Sequence, residues 1–258
     1  MRTRLRPVER VMGKLASRGG ERLLGIVVLA SLVASGIMSL WVVPPDAVQG
    51  NVQRLMYVHV PAAWLAYLSF AVVFAASIAY LRTTRIFWDS VAAASAEIGV
   101  LFTALTLALG SLWGKPVWGT WWTWDPRLTT TAVLLLIYLG YLAVRRLPDN
   151  PARRARWAAV VGIVGFVDVP IVHMSVVWWR SLHQQATVLN PAGPTIAPIM
   201  LETLLLAVLA FTLLYTYLVV FRMRVGRLEQ RVIGTALLPG KAPAPEKFAG
   251  AEEALAHG

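Results

Sequence analysis

Two histidines of this chain, His59 in YVHVPAAW and His183 in VVWWRSLHQQ, each stand beside aromatic residues at the end of a long apolar run. A neutral imidazole offers one lone pair to a metal, and two imidazoles at one level on different helices can hold a single metal from opposite faces. Haem iron is commonly held in this way. Zinc fits such a pair poorly, because a tetrahedral site needs further ligands and the chain has no cysteine. Between the histidines lies the stretch 113–128, WGKPVWGTWWTWDPRL, with five of the eleven tryptophans beside Lys115, Asp125 and Arg127. Indole rings present broad, stiff, half-apolar faces. They suit a flat, aromatic, largely hydrophobic ligand, and they also suit an interfacial belt.

Other polar groups could take part. Arg54, Lys115, Arg127 and Arg180 lie close to the same ends of the apolar runs. Arginine suits the planar carboxylates that a porphyrin carries, although a solvated or headgroup-facing charge is the plainer reading for each. Asp125, before Pro126, can cap the helix that follows and pair with a base. His173 lies ten residues before His183, up to roughly 15 Å deeper along a helix. A buried, hydrogen-bonded role is expected for it, with a transient ligand on a route in as the alternative. Glu97, Asp168 and Glu202 fall inside apolar runs, where a charge is costly, and interhelical hydrogen bonds are expected for them. No base is expected to accompany them within the spans. Pro170 is expected to kink its span.

The elements that must position these groups follow from hydropathy. Of 258 residues 57% are apolar and 14% charged, with mean hydropathy +0.62, which is a membrane composition. Six apolar runs, at 23–43, 57–81, 91–112, 128–144, 157–179 and 196–221, are each of helical spanning length. The fold class expected is therefore all-α with six transmembrane helices. A basic segment 1–22 precedes the membrane domain 23–221, and a tail 222–258 follows, disordered toward its end. The first run reads as an uncleaved span, because its exit, LWVVPPDAVQG, carries no small-residue cleavage site.

The net charge of +11 would suggest nucleic acid, but the bases alternate between loops. The amino terminus, 82–90, 145–156 and the tail hold 20 of the Lys and Arg residues, and the other three loops hold four. By the positive-inside rule both termini are cytoplasmic and the tryptophan-rich loop faces the other side. Nine tryptophans lie toward that outer side and only Trp88 and Trp157 toward the inner. A plain belt would populate both, so the asymmetry favours a binding platform, with Trp41 and similar rings as anchors.

Residues 118–125, WGTWWTWD, fit the signature WGxxWxWD, and with YVHVPAAW, SVVWWRSLHQ and six spans the chain resembles the cytochrome c maturation protein C family, CcmC, over about residues 22–225. The resemblance implies that haem b is held at the outer surface with His59 and His183 as axial ligands. It implies a platform of Trp118, Gly119, Trp121, Trp122, Trp124 and Asp125, with Arg54 and Arg127 at positions that are basic in the family. It further implies an inner-membrane location with the haem site facing the periplasm. The implied partners are a haem chaperone, CcmE, the ABC-transporter subunits CcmA and CcmB, the small membrane subunit CcmD, and membrane lipid. On this reading the chain is a haem-binding and transfer protein and not an enzyme. His173 and the basic amino-terminal extension lie outside the motif. Two other readings compete: a secondary transporter using Asp168 and Glu202 at a midplane site, and a quinone-reactive haem oxidoreductase, which would place more histidines within the spans.

Overall fold

A computed structural model describes residues 6–147, 150–184, 187–188 and 193–236. Six helical segments are long and apolar enough to cross a membrane: Arg18–Val42, Asn51–Thr83, Ile86–Trp118, Pro126–Val144, Pro151–Trp178 and Pro198–Glu229. Helices satisfy their own backbone in lipid, so apolar runs of this length fold this way. The chain divides into two units, Met1–Met223 and Arg224–Gly258. The tail expected to be disordered, including His257, lies outside the described residues.

A short amphipathic helix, α1 (Arg6–Leu15), precedes the first span and is tied down by an ion pair from Arg85 to Glu9 at 2.6 Å. Helix α2 (Arg18–Ile37) starts on a Ser17 cap and ends in a π-helical turn, Met38–Val42. Helix α3 (Met56–Thr83) follows a 3-10 turn, Asn51–Leu55, and pairs most extensively with α4 (Ile86–Trp118). Helix α5 (Pro126–Val144) packs on α4 and α6 (Pro151–Gly165), and α6 packs on α3. Helix α7 (Asp168–Trp178) lies against α5, and α8 (Pro198–Ala236) closes the series.

The helices run to bounds other than those of the apolar runs, and three features of the third, fifth and last spans matter most. The third span continues past residue 112 to Trp118, so the first part of the tryptophan stretch is helix and not loop. It stops where Gly119 takes a left-handed φ of 78°, a conformation that glycine adopts without steric cost. The fifth span is interrupted at Phe166–Val167, as the expected kink requires, though both residues keep right-handed helical dihedrals and Pro151–Trp178 remains one spanning segment. The Pro170 ring would collide with the Phe166 carbonyl four residues back, so the helix restarts at Asp168. The last helix runs past residue 221 and brings Arg222 to Glu97, Nη2 to Oε1, at 3.0 Å. The expectation that no base accompanies the acids in the spans therefore fails at Glu97, because a helix has no reason to stop where its hydropathy falls.

The core is aromatic. Phe70 of α3 stacks on Tyr138 of α5 at 3.6 Å, and Leu65, Leu134 and Tyr141 are fully buried around them. At the end of the bundle that carries the α3–α4 and α5–α6 turns, Arg145 grips Asp89 with two bonds, of 2.6 and 2.9 Å. The opposite end has its own cluster, Val43, Met56, Tyr57, Leu204 and Ala207, against which Trp113 packs. That cluster fixes the mouth of α3 relative to the end of α4. Glu202 is exposed on α8, and Asp168 keeps one buried carboxylate oxygen without a partner, so of the three acids only Glu97 makes the expected interhelical bond.

Candidate functional site

Asp125 organises the site. It caps α5 through a bond from the Arg127 amide to Oδ1 at 2.9 Å, and proline at the first helical position suits this start. Its other oxygen accepts from the Ser181 hydroxyl at 2.8 Å and the Leu182 amide at 2.7 Å, binding the segment after α7 to the start of α5. The side chain is almost fully buried, so these donors take the place of water.

His183 completes the arrangement. Its Nδ1 lies 3.1 Å from Asp125 Oδ1. A carboxylate only accepts, so the imidazole must donate from Nδ1 and carry its free lone pair on Nε2. A ring nitrogen bonded to a carboxylate is the usual support of a metal-binding histidine, because it fixes both tautomer and orientation. Trp118 packs edge to face on the same ring at 4.8 Å between centroids. Burial holds the His183 imidazole below the ordinary histidine range, with Asp125 opposing and the Arg127 charge adding to the effect. Burial alone would raise Asp125, but the bonds from Leu182, Ser181 and Arg127 outweigh it and hold the carboxyl below its usual range.

The sign of the pH dependence follows. Both groups have folded pKa values below their unfolded ones, so each contributes stability that is complete above its unfolded value and is lost as pH falls through the folded one. The His183 imidazole is expected to take up its proton below the ordinary histidine range. Asp125→Asn removes the charge that favours the imidazolium, and the His183 titration is expected to move to still lower pH. Histidine ring resonances followed by NMR across pH 4 to 8 check this; an upward move in the variant would be the wrong sign.

His59 enters from the first turn of α3. Its ring lies over Gly110 of α4, where a Cβ would come within 3.1 Å of the imidazole Cε1. Glycine there opens the space that the ring occupies. Trp113 meets the ring edge on at 5.7 Å and is itself held by Gln49, Nε1 to Oε1, at 2.8 Å. The His59 Nδ1 is buried and has no hydrogen-bond partner. His59 and His183 are each packed by a tryptophan of the same helix, Trp113 and Trp118 of α4, five residues apart. The Arg127 guanidinium reaches α7, where Nη2 donates to the His173 carbonyl at 3.1 Å, while its Nε is buried and unpartnered.

The remaining candidates are placed unequally. Trp122 and Trp124 form a T-shaped pair at 5.7 Å, and Trp124 is 81% exposed, so its face is free. Trp121 is exposed beside Lys115, whose ammonium lies 6.0 Å from the ring centroid and bonds the Gly119 carbonyl at 3.0 Å. Gly119 ends α4 and turns the chain into the loop. Arg54 is not brought to the histidines by any contact. Its guanidinium donates to the Ser39, Leu40 and Val43 carbonyls and its Nε to Asn51, which caps the π-helical end of the first span. Arg180 is exposed. His173 departs from expectation outright. It is exposed on α7, on the same face as the exposed Pro170 and Val177, with its ring edge on to Tyr67 at 6.3 Å.

Sequence reasoning passed over Gly110, Gln49, Ser181 and the supporting role of Trp113. Only Ser181, two residues from His183, carried a local signal, since a hydroxyl there can bond the following backbone.

A family model described as heme exporter protein C matches residues 10–237. A protein of that name from Bradyrhizobium diazoefficiens is 43% identical over 201 residues, covering 78% of this chain and 76% of its own. Namesakes from Haemophilus influenzae and Escherichia coli are 37% and 38% identical, covering 86% and 76% of this chain and 88% and 80% of theirs.

Proposed function

Because this chain belongs to the heme exporter protein C family, we propose that it binds haem b with His59 and His183 as axial ligands and passes it to a haem chaperone. The family implies haem handling for cytochrome c biogenesis, as a transport and maturation component and not a catalyst. The bond between Asp125 and His183 carries the finer reading. It presents an oriented imidazole beside Trp118, five residues along α4 from the Trp113 that packs on a second imidazole with an unpartnered nitrogen.

In the proposal each residue has a physical task. The porphyrin packs on Trp118, Trp122 and Trp124, whose apolar faces supply most of the affinity, and Trp121 with Gly119 shapes the rim. Arg127, with its buried Nε unspent, meets a propionate, and Arg54 acts at one remove by holding the end of the first span. Two axial nitrogens close both faces of the iron, so delivery requires one to yield to the acceptor. The positive loops orient both termini to the cytoplasm, which sets this site on the periplasmic side of a bacterial inner membrane. The acceptor corresponds to CcmE, and release is driven by CcmA and CcmB with CcmD. The lipid bilayer completes the set of partners.

Titration of the detergent-purified protein with haem tests the reading. Saturation at one haem per chain with a six-coordinate, low-spin spectrum is expected. Trp122→Ala is expected to lose about 1 to 3 kcal/mol of retention, the scale of a large apolar side chain. A five-coordinate spectrum in the wild type would refute bis-histidine ligation, and equal retention in the variant would refute the platform.

A further inference from the structure

His173 is the one histidine among the described residues that the proposed ligand pair and its supports leave unused. It lies five residues before Trp178 in α7, about 7.5 Å deeper than that tryptophan at about 1.5 Å per residue. Its side chain is exposed on the face shared with Pro170 and Val177. This surface belongs to a segment apolar enough to cross a membrane, and a polar ring turned outward there is costly, so such residues mark function.

Two neighbours lead inward from it. Tyr67 of α3 meets the His173 ring edge on at 6.3 Å. Arg127 bonds the His173 carbonyl at 3.1 Å and keeps a buried Nε without a partner, while its amide bonds the same Asp125 carboxylate oxygen that meets His183. Among the described residues no carboxylate pairs with Arg127. An exposed imidazole, an aromatic edge on the helix that carries His59, and a cation bonded through its amide to the carboxylate that meets His183 thus connect the outward face of α7 with the ligand pair.

We propose that His173 is the first iron ligand for haem arriving laterally from the bilayer, with Arg127 drawing a propionate toward the site. This rests on the haem reading above. The step is ligand exchange without redox change: one imidazole of the pair takes the open axial position opposite His173, the other then replaces His173, one iron–nitrogen bond breaking as the last forms, and no proton is gained or lost.

The test uses the full chain in lipid nanodiscs. Haem is supplied either already dissolved in donor vesicles of neutral phospholipid or from serum albumin in the water phase, and the growth of the low-spin Soret band is followed by stopped flow. His173→Ala is expected to slow loading from vesicles by about tenfold, about 1.4 kcal/mol of barrier, while loading from albumin and the final spectrum stay unchanged. His173→Met, which keeps an axial ligand, is expected to recover part of the rate, and His173→Leu none of it. Equal vesicle rates for wild type and His173→Ala would overturn the proposal. An equal slowing in both arms would also overturn it, since that marks a general structural role. His59→Ala and His183→Ala run in parallel separate the two readings. If they keep the low-spin band, the bis-histidine reading fails; if they lose it while His173→Ala loads normally, only the lateral route fails.

Discussion

Alanine at His59 or at His183 is expected to abolish the six-coordinate, low-spin spectrum of the haem-loaded protein. The two positions should fail differently. His183 sits on a carboxylate that ties residues 181–183 to the start of α5, so Asp125 can be tested apart from the ligand itself. Asp125→Asn keeps the shape of the side chain but loses the charge that fixes the donating Nδ1. Supporting partners of metal-bound histidines are typically worth about 10- to 100-fold in affinity, and a loss in that range is expected, with the spectrum retained at saturating haem. His59 has no such carboxylate and is held by packing over Gly110 and against Trp113. Trp113→Ala should therefore loosen His59 without touching His183. Haem titrations of the four variants check the pattern; Asp125→Asn indistinguishable from wild type would remove the reason for assigning the lone pair to Nε2.

The second large effect concerns the opposite end of the bundle. Arg145 holds Asp89 with two bonds, and both side chains are largely buried. Removing one partner strands the other charge, at a cost of about 3 to 5 kcal/mol, whereas replacing both with apolar residues of similar volume can be nearly neutral. Arg145→Ala is expected to lower the unfolding midpoint sharply in a denaturant titration in detergent micelles, and Arg145→Met with Asp89→Leu to recover most of it. An Arg145→Ala protein as stable as wild type would show that the pair is solvated in the folded state. Haem affinity of the folded fraction should be unchanged in either variant, because the pair lies at the end away from the histidines.

Much of this architecture could be read from hydropathy, because a span is a local property: about 20 apolar residues must form a helix in lipid wherever they occur. The interruption before Pro170 was legible for the same reason, as a matter of one ring and one carbonyl. Asp125 was legible as a cap from its place before Pro126. The bond from that same carboxylate to His183, 58 residues on, had no local trace. Arg54 and Arg127 were indistinguishable as outer bases. One closes the carbonyl end of a helix and the other reaches the histidines.

The sequence by itself determined the class of the protein, the number of spans and the residue types available for chemistry, since hydropathy, charge alternation and the WGTWWTWD run are all contiguous along the chain. Only the tertiary structure decided which of those residues meet. His59 and His183 each pack on a tryptophan of α4, Arg54 is committed elsewhere, and His173 faces outward. Hydropathy averages over a helix and so discards the direction each side chain takes; that direction depends on helix breaks, glycine contacts and pairings between distant segments.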